Sequence, residues 1–171
     1  MIQLNSEQLQ SLEKINDFLD NANTRSKLFS LVGPPGSGKT TIIKTLFSDN
    51  KFAKKHIALS ATTNKAVSVI ENMFLSDRQN FKHIDFLTIH KLCKIKRHID
   101  NDGNQYFNLD ENPECLKSAK SIYTYDIIVI DEASMVNEEL FNLLTKLSKK
   151  IHGKIIFVGD SYQLPPINEN I

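Results

Sequence analysis

Tryptophan is absent from the chain, and Cys93 and Cys115 are its only cysteines. Two isolated cysteines make neither a zinc site of the usual paired spacing nor a disulfide framework, so the chain reads as the product of a reducing compartment. Long apolar runs are missing too. The longest aliphatic stretches have four members, such as Ile127-Ile128-Val129-Ile130, against the roughly 20 residues that a membrane-spanning helix needs. The opening, MIQLNSEQLQ, has no basic start leading into an apolar stretch, which argues against secretion. A soluble intracellular protein with no membrane partner is expected. Charge of one sign is also lacking, with 21 Lys+Arg against 20 Asp+Glu. That balance excludes a wholly basic nucleic-acid coat protein and leaves room for a local basic patch.

What is present has a regular order. The 171 residues suit one domain. Short aliphatic runs alternate with helical patterns, the signature of an α/β domain built on a mainly parallel sheet. Strands are expected over Leu28–Val32, Ile57–Ser60, Asp126–Ile130 and Ile155–Val158, with a weaker one near Phe86–Leu87. Their continuous apolar character implies burial on both faces. Helices are expected over Ser6–Asn21, Gly38–Phe47, Asn64–Phe74 and Glu138–Lys150. In the first of them Leu9, Leu12, Ile15, Phe18 and Leu19 recur at helical spacing.

One segment breaks the alternation. Lys82 to His98 holds five Lys/Arg and one Asp, whereas Asp100 to Glu114 holds five acids and no Lys or Arg. Between the blocks lies Asn101-Asp102-Gly103-Asn104, and Asp-Gly is a strong signal for a type I′ turn. Residues 94–109 therefore read as an inserted β-hairpin, the alternative being a solvated surface loop. The parent domain would comprise residues 1–93 and 110–171.

Three blocks carry chemistry. Gly33-Pro34-Pro35-Gly36-Ser37-Gly38-Lys39-Thr40 matches G-x-x-x-x-G-K-[ST], with a buried strand before it and a helix-compatible run from Thr41 after it. Glycines let successive N–H groups point at phosphate oxygens, Lys39 reaches the β and γ phosphates, and Thr40 offers a hydroxyl to Mg²⁺. Residues 33–41 are thus the candidate nucleotide-binding set. Asp131-Glu132 ends a buried strand, where parallel sheets place ligands. Asp131 would hold Mg²⁺ and Glu132 would take a proton from an attacking water. Gly159-Asp160-Ser161-Tyr162-Gln163-Leu164-Pro165-Pro166 follows the last strand. Gln163 there either senses the terminal phosphate or belongs to a plain turn.

In this order the last two blocks resemble motifs II and III of superfamily 1 DNA helicases, nearest their RecD-like and Dda-like branch. That resemblance implies a RecA-like P-loop NTPase lobe, ATP and Mg²⁺ as cofactors, and 5′–3′ movement on single-stranded DNA. Leu4-Asn5-Ser6-Glu7-Gln8 resembles the family's Q motif, so Gln8 would read the adenine edge; Asn5 and Gln8 also fit a capping box. Ala61-Thr62-Thr63-Asn64-Lys65-Ala66 stands where motif Ia grips the DNA backbone, with Thr62 in place of the usual proline. By resemblance Thr63, Asn64 and Lys65 are DNA contacts. Thr88-Ile89-His90-Lys91-Leu92 resembles motif Ib, which adds Thr88 and His90; His90 has an alternative role as a packed residue. The hairpin falls where this branch carries its strand-separating pin, with Tyr106 or Phe107 either at the fork or packed across the strands.

The resemblance also implies something missing. Family members draw finger arginines from motifs IV and VI of a second RecA-like lobe, and this sequence offers only Arg25, Arg78 and Arg97. It stops at Ile171, just after the third motif. The expectation is the first lobe of a two-lobed motor, weak in hydrolysis unless a second lobe or a downstream polypeptide completes it. Two other readings stand beside it. One is a nucleotide-gated single-strand binding module with little turnover. The other is a small-molecule kinase, disfavoured by the acid pair and the glutamine loop.

Overall fold

The computed structural model describes residues 4–22, 26–75, 80–99, 105–109 and 120–160. In chain order the main elements are α1 (Ser6–Asp20), β1 (Leu28–Val32), α2 (Lys39–Phe47), β2 (Ile57–Ala61), α3 (Asn64–Phe74), β3 (Ile84–Thr88), α4 (Ile89–Leu92), β4 (Ile95–Ile99), β5 (Gln105–Leu109), β6 (Ile127–Ile130), α5 (Glu138–Ser148) and β7 (Lys154–Gly159). Five of the strands form one sheet in the order β1-β7-β6-β2-β3, every pair parallel. The chain crosses from β1 to β2, steps outward to β3, and later fills the gap with β6 and β7. The expected α/β class and parallel sheet are the ones observed.

Both faces of the sheet are covered, and alternation along the strands decides which residue serves which core. Ile57 and Leu59 of β2, Ile127 and Val129 of β6, and Ile156 and Val158 of β7 pack with α1, α2 and α3. Ala58, Ile128, Ile130, Ile155 and Phe157 point the other way, toward α4 and α5. Strands buried on both sides must be apolar at every position, which is why they read as unbroken runs. Ser60 interrupts β2. It is fully buried, and its hydroxyl donates to the Leu87 carbonyl of β3 at 2.7 Å, so its polarity is satisfied.

The helices start where short polar side chains cap them. Asn5 caps α1, Thr63 caps α3 and Asn137 caps α5, each accepting from a backbone N–H of the first turn. α1 has no basic residue in its last turn. Lys154 of β7 takes that role, donating to the carbonyls of Phe18, Leu19 and Asn21 and lying 4.9 Å from the Phe18 ring centroid. Burial pulls the Lys154 ammonium below the usual lysine range, with Asp20 opposing and Lys27 reinforcing the shift.

Several boundaries differ from the sequence expectation, most by a residue or two. β3 runs the full Ile84–Thr88, because it pairs along its length with β2. Its charged Asp85 and half-buried Phe86 are tolerated because β3 is the outermost strand. Gly38 is the N-cap of α2 rather than its first residue, and α5 ends at Ser148. The hairpin strands pair antiparallel as a separate two-stranded sheet, with Ile99 opposite Gln105 and Ile95 opposite Leu109. That register leaves an odd number of residues between the strands, whereas a two-residue turn at Asp102-Gly103 would leave an even number. The turn residues, 100–104, lie outside the described residues.

Gly153, just before β7, faces the backbone of the neighbouring segment. A Cβ there would collide with the Tyr125 carbonyl oxygen and sit 2.9 Å from that of Asp126. Neither atom is the end of a flexible side chain, so the main chain itself must move. Gly153→Ala is expected to cost about 3 kcal/mol, the upper end of overpacking effects. Urea unfolding should show a lower midpoint at an unchanged slope; a midpoint equal to wild type would mean that the close approach is not fixed.

Candidate nucleotide and metal site

Because the sheet is all parallel, the segment after every strand emerges at the same edge. Val32 lies level with Gly159, Ser60 with Ile130, and Ala61 with Thr88. Gly33–Gly38, Asp131-Glu132, Thr63–Lys65, His90 and Asp160 therefore line one margin of the molecule. Gly33 N–H donates to the Gly159 carbonyl at 3.3 Å, tying the phosphate loop to the end of β7.

Two glycines shape the loop. Gly36 has φ 76° and Gly38 φ 83°, the left-handed region that strains other L residues. Gly38 then opens α2 without a side-chain cap, so the first N–H groups of that helix keep their donor capacity. The Lys39 ammonium donates to the carbonyls of Gly33 at 2.7 Å and Pro34 at 2.9 Å, which holds it against the loop. Thr41, expected in the binding set, is the third residue of α2 and half-buried.

Gln8 joins this site from α1. Its Oε1 accepts from Asn5 N–H at 3.0 Å while Asn5 Oδ1 accepts from Gln8 N–H at 2.8 Å, completing the capping box. The same side chain donates through Nε2 to the Ser37 carbonyl at 2.9 Å. It fills the space that a Cβ on Gly38 would take. The amide is thus shared between helix cap and phosphate loop.

Asp131 and Thr40 line one narrow cavity together with Ser60, Leu59, Val129 and Val158. The Asp131 N–H donates to the Ser60 carbonyl at 2.8 Å, and its Oδ1 accepts from Glu132 N–H at 2.9 Å. Burial raises the Asp131 carboxyl above the ordinary carboxylate range. The Glu132 backbone N–H and the Lys39 ammonium pull it down, and the Glu132 carboxylate pushes it up. Glu132 is exposed and has φ 50°, one of two non-glycine residues with positive φ among those described. Such a conformation costs on the order of 1–3 kcal/mol and collects at functional positions. It turns the chain abruptly from β6 into the short 3₁₀ turn Ala133–Met135.

The oxygen donors fit a hard divalent cation. Thr40 and Asp131 both border a narrow, largely apolar cavity, and burial disfavours the charge on Asp131. Among the described residues no group of three or more His, Cys, Asp or Glu could hold a metal alone. A cation held here would draw its remaining ligands from water or from phosphate oxygens.

The other expected contacts are placed less uniformly. Thr63, Asn64 and Lys65 are exposed at the start of α3, and the Thr63 hydroxyl also accepts from Ala66 N–H at 3.1 Å. His90 is half-buried. Thr88, only 8% exposed, accepts from Lys91 N–H at 3.4 Å, so it serves α4 as a cap. Gln163 lies outside the described residues, as do the side chains of Tyr106 and Phe107. One participant has no place in the sequence reading: Ser60, whose carbonyl fixes Asp131. The polar interruption of an apolar strand was the one signal that could have pointed to Ser60.

The raised Asp131 carboxyl has a sign. The folded chain binds more protons than the unfolded one between the ordinary carboxyl value of 3.8 and the higher folded value. The contribution of Asp131 is thus present at low pH and lost as pH rises through its folded pKa. Asp131→Asn should match or exceed wild-type stability at neutral pH, with its advantage growing from pH 3.5 upward, and should lose Mg²⁺-dependent nucleotide binding. Urea midpoints across that range, with fluorescent-nucleotide titrations, test both; a variant less stable at pH 7 would show that Asp131 is a structural anchor.

Residues 19–169 match the family model described as an AAA domain. The chain is 35% identical over 175 aligned residues to an uncharacterized protein of Acanthamoeba polyphaga mimivirus, covering 96% of this chain and 34% of that one. It is 27% identical to the DNA replication ATP-dependent helicase/nuclease dna2 of Schizosaccharomyces pombe, covering 98% of this chain and 12% of that protein. The chain thus spans about a third or less of these relatives. Among solved structures the HK97 bacteriophage large terminase superposes with a TM-score of 0.51 at 12% identity, covering 94% of this chain and 33% of that one, a likeness of fold. Phosphate loop, acid pair, parallel sheet and family match agree: the chain belongs to the AAA domain family and is a RecA-like P-loop lobe of the superfamily 1 helicase type.

Proposed function

We propose that the chain is the ATP-binding motor lobe of an ATP-dependent DNA helicase of the RecD-like/Dda-like branch, moving 5′–3′ on single-stranded DNA. The observation that carries this reading is the meeting of Thr40 and Asp131 in one cavity, with Glu132 next in sequence on a left-handed turn. Lys39, Gly36, Gly38 and the first N–H groups of α2 would cradle the triphosphate. The Gln8 amide, already braced on the loop, would present its remaining donor and acceptor capacity to the adenine edge. Thr40 and Asp131 would hold Mg²⁺, which when bound neutralises charge on the β and γ phosphates. Glu132 would accept the proton of the attacking water, and Gln163 would register the γ phosphate. Thr63, Asn64, Lys65 and His90 would hold the DNA backbone along the same margin.

A second reading has an observation behind it as well. The sequence holds three arginines, Arg25, Arg78 and Arg97, and none falls within the phosphate loop, residues 33–41, or at the acid pair 131–132. An arginine finger contributes about 10³–10⁵ in rate where one is used. On its own, then, the 171-residue chain is expected to bind ATP with Mg²⁺, hydrolyse it slowly and separate no strands. A second RecA-like lobe would supply the missing charge. If no partner lobe raises turnover, a nucleotide-gated single-strand binder is the better description.

Lys39→Ala is expected to abolish binding of a fluorescent ATP analogue while leaving the urea midpoint near wild type. Retained binding would remove the phosphate loop from the mechanism. Steady-state hydrolysis with and without oligo-dT measures the rest. DNA-stimulated turnover at the rate of a two-lobed helicase, or unwinding by residues 1–171 alone, would overturn the single-lobe proposal.

A further inference from the structure

Ser60 is the polar member of β2, whose other residues are Ile57, Ala58, Leu59 and Ala61. It is completely buried. Packing does not call for its hydroxyl, since Ala58, on the same face of the strand, fills its place in the core beneath α4 and α5 without one. Nor does the Leu87 carbonyl depend on it. The ladder between β2 and β3 opens with Ile57 N–H donating to the His83 carbonyl and advances two residues at a time, which brings Ala61 N–H to Leu87. The Ser60 hydroxyl, at 2.7 Å, is a second donor to an acceptor that the ladder already serves.

Its position gives that bond a use. Ser60 stands opposite Ile130 in the last rung between β2 and β6, and opposite Leu87 one rung short of the end between β2 and β3. Just beyond the last rung lies the bond from Asp131 N–H to the Ser60 carbonyl, 2.8 Å long. Strand ends are the first parts of a sheet to open. Ser60 also borders the narrow cavity that Thr40 and Asp131 share. The peptide that holds Asp131 thus belongs to the residue whose side chain is tied sideways to β3.

We propose that Ser60 is a positioning residue for Asp131. With its hydroxyl fixed on Leu87, the Ser60 peptide cannot turn away from the sheet. Its carbonyl then keeps the Asp131 N–H, and the carboxylate stays beside Thr40 at the cavity. Ser60 itself touches neither nucleotide nor cation in this role. The assignment rests on the reading of Asp131 as the Mg²⁺ carboxylate. It adds a residue outside the phosphate loop, the acid pair and the segments that resemble helicase motifs. A serine that served stability alone would matter equally with and without Mg²⁺. One that sets the height of Asp131 matters where the cation is held.

Two measurements on the 171-residue chain separate these roles: titration of a fluorescent ATP analogue in EDTA and in Mg²⁺, and hydrogen exchange at the Asp131 amide without nucleotide. Ser60→Ala should leave affinity in EDTA within about twofold of wild type and weaken it in Mg²⁺ by about two- to tenfold, the range of one net buried hydrogen bond. The Asp131 amide should exchange faster by a similar factor relative to that of Ile128, deeper in β6. Ser60→Thr keeps a hydroxyl and should restore both. Gly153→Ala, at the opposite margin of the sheet, lowers stability without touching this link and should keep the Mg²⁺ response. Equal weakening in EDTA and in Mg²⁺, or wild-type exchange at Asp131 in Ser60→Ala, would overturn the positioning role. So would an unchanged Mg²⁺ response in Ser60→Ala where Asp131→Asn abolishes it, an outcome that leaves Asp131 as the ligand. A Mg²⁺ response that survives Asp131→Asn would overturn that reading and the role of Ser60 together.

Discussion

A parallel sheet cannot be closed by tight turns. Each strand must be left at its carboxyl end and re-entered from the opposite margin, with the intervening chain packed over a face. Everything in this lobe follows from that constraint. It obliges the five strands to be apolar on both sides, and it forces the segments after β1, β2, β3, β6 and β7 to one edge. Residues separated by some hundred positions meet there without any feature of the sequence specifying their proximity. The order β1-β7-β6-β2-β3 then divides the edge into two parts. The phosphate loop and Gly159 are adjacent at one end, and the segments carrying Thr63 and His90 are adjacent at the other. The acid pair stands between them.

Within the first part, stability and readiness pull against each other. Asp131 is held in a partly buried position where its charge is disfavoured, and Glu132 in a backbone region where its side chain is disfavoured. Neither is a solution that a folding-only sequence would choose. The compensation comes from elements that do no chemistry. Lys154 fastens the carboxyl end of α1, the capping box fixes its amino end, and Gln8 carries that rigidity to the Ser37 carbonyl. A glycine at position 38 serves twice, permitting φ 83° and leaving room for the Gln8 amide.

How much of this was legible in the sequence depended on whether the signal was local. The phosphate loop, the acid pair and the apolar strands were readable because their chemistry is written in consecutive residues. The capping box was readable for the same reason, yet the second bond of Gln8 was not, since Ser37 is 29 positions away. β3 was seen only as a fragment at Phe86–Leu87 because its edge position relaxes the apolar rule. The hairpin strands were marked by their flanks, but the register that pairs Ile99 with Gln105 is set by the packing of whole strands. Thr88 carries a second role that its motif does not announce. A hydroxyl inside a contact motif reads as a ligand group, and here it also accepts from Lys91 N–H as the cap of α4.

The basic stretch at 82–98 and the acid pair lie on either side of β2, and that strand is what they share. Ser60 sits near its carboxyl end with both polar groups committed in opposite directions. Its carbonyl accepts from Asp131 N–H, on the strand of the acid pair, while its hydroxyl donates to Leu87, on the strand that leads to His90. A buried hydroxyl in an otherwise apolar strand must keep its partner, so β3 cannot shift against β2 without stranding a polar atom. The three strand ends are thereby fixed in relative height to within a hydrogen bond. A displacement of Asp131 would pull on the backbone of Ser60, and through its side chain on the carbonyl of Leu87, three residues before His90.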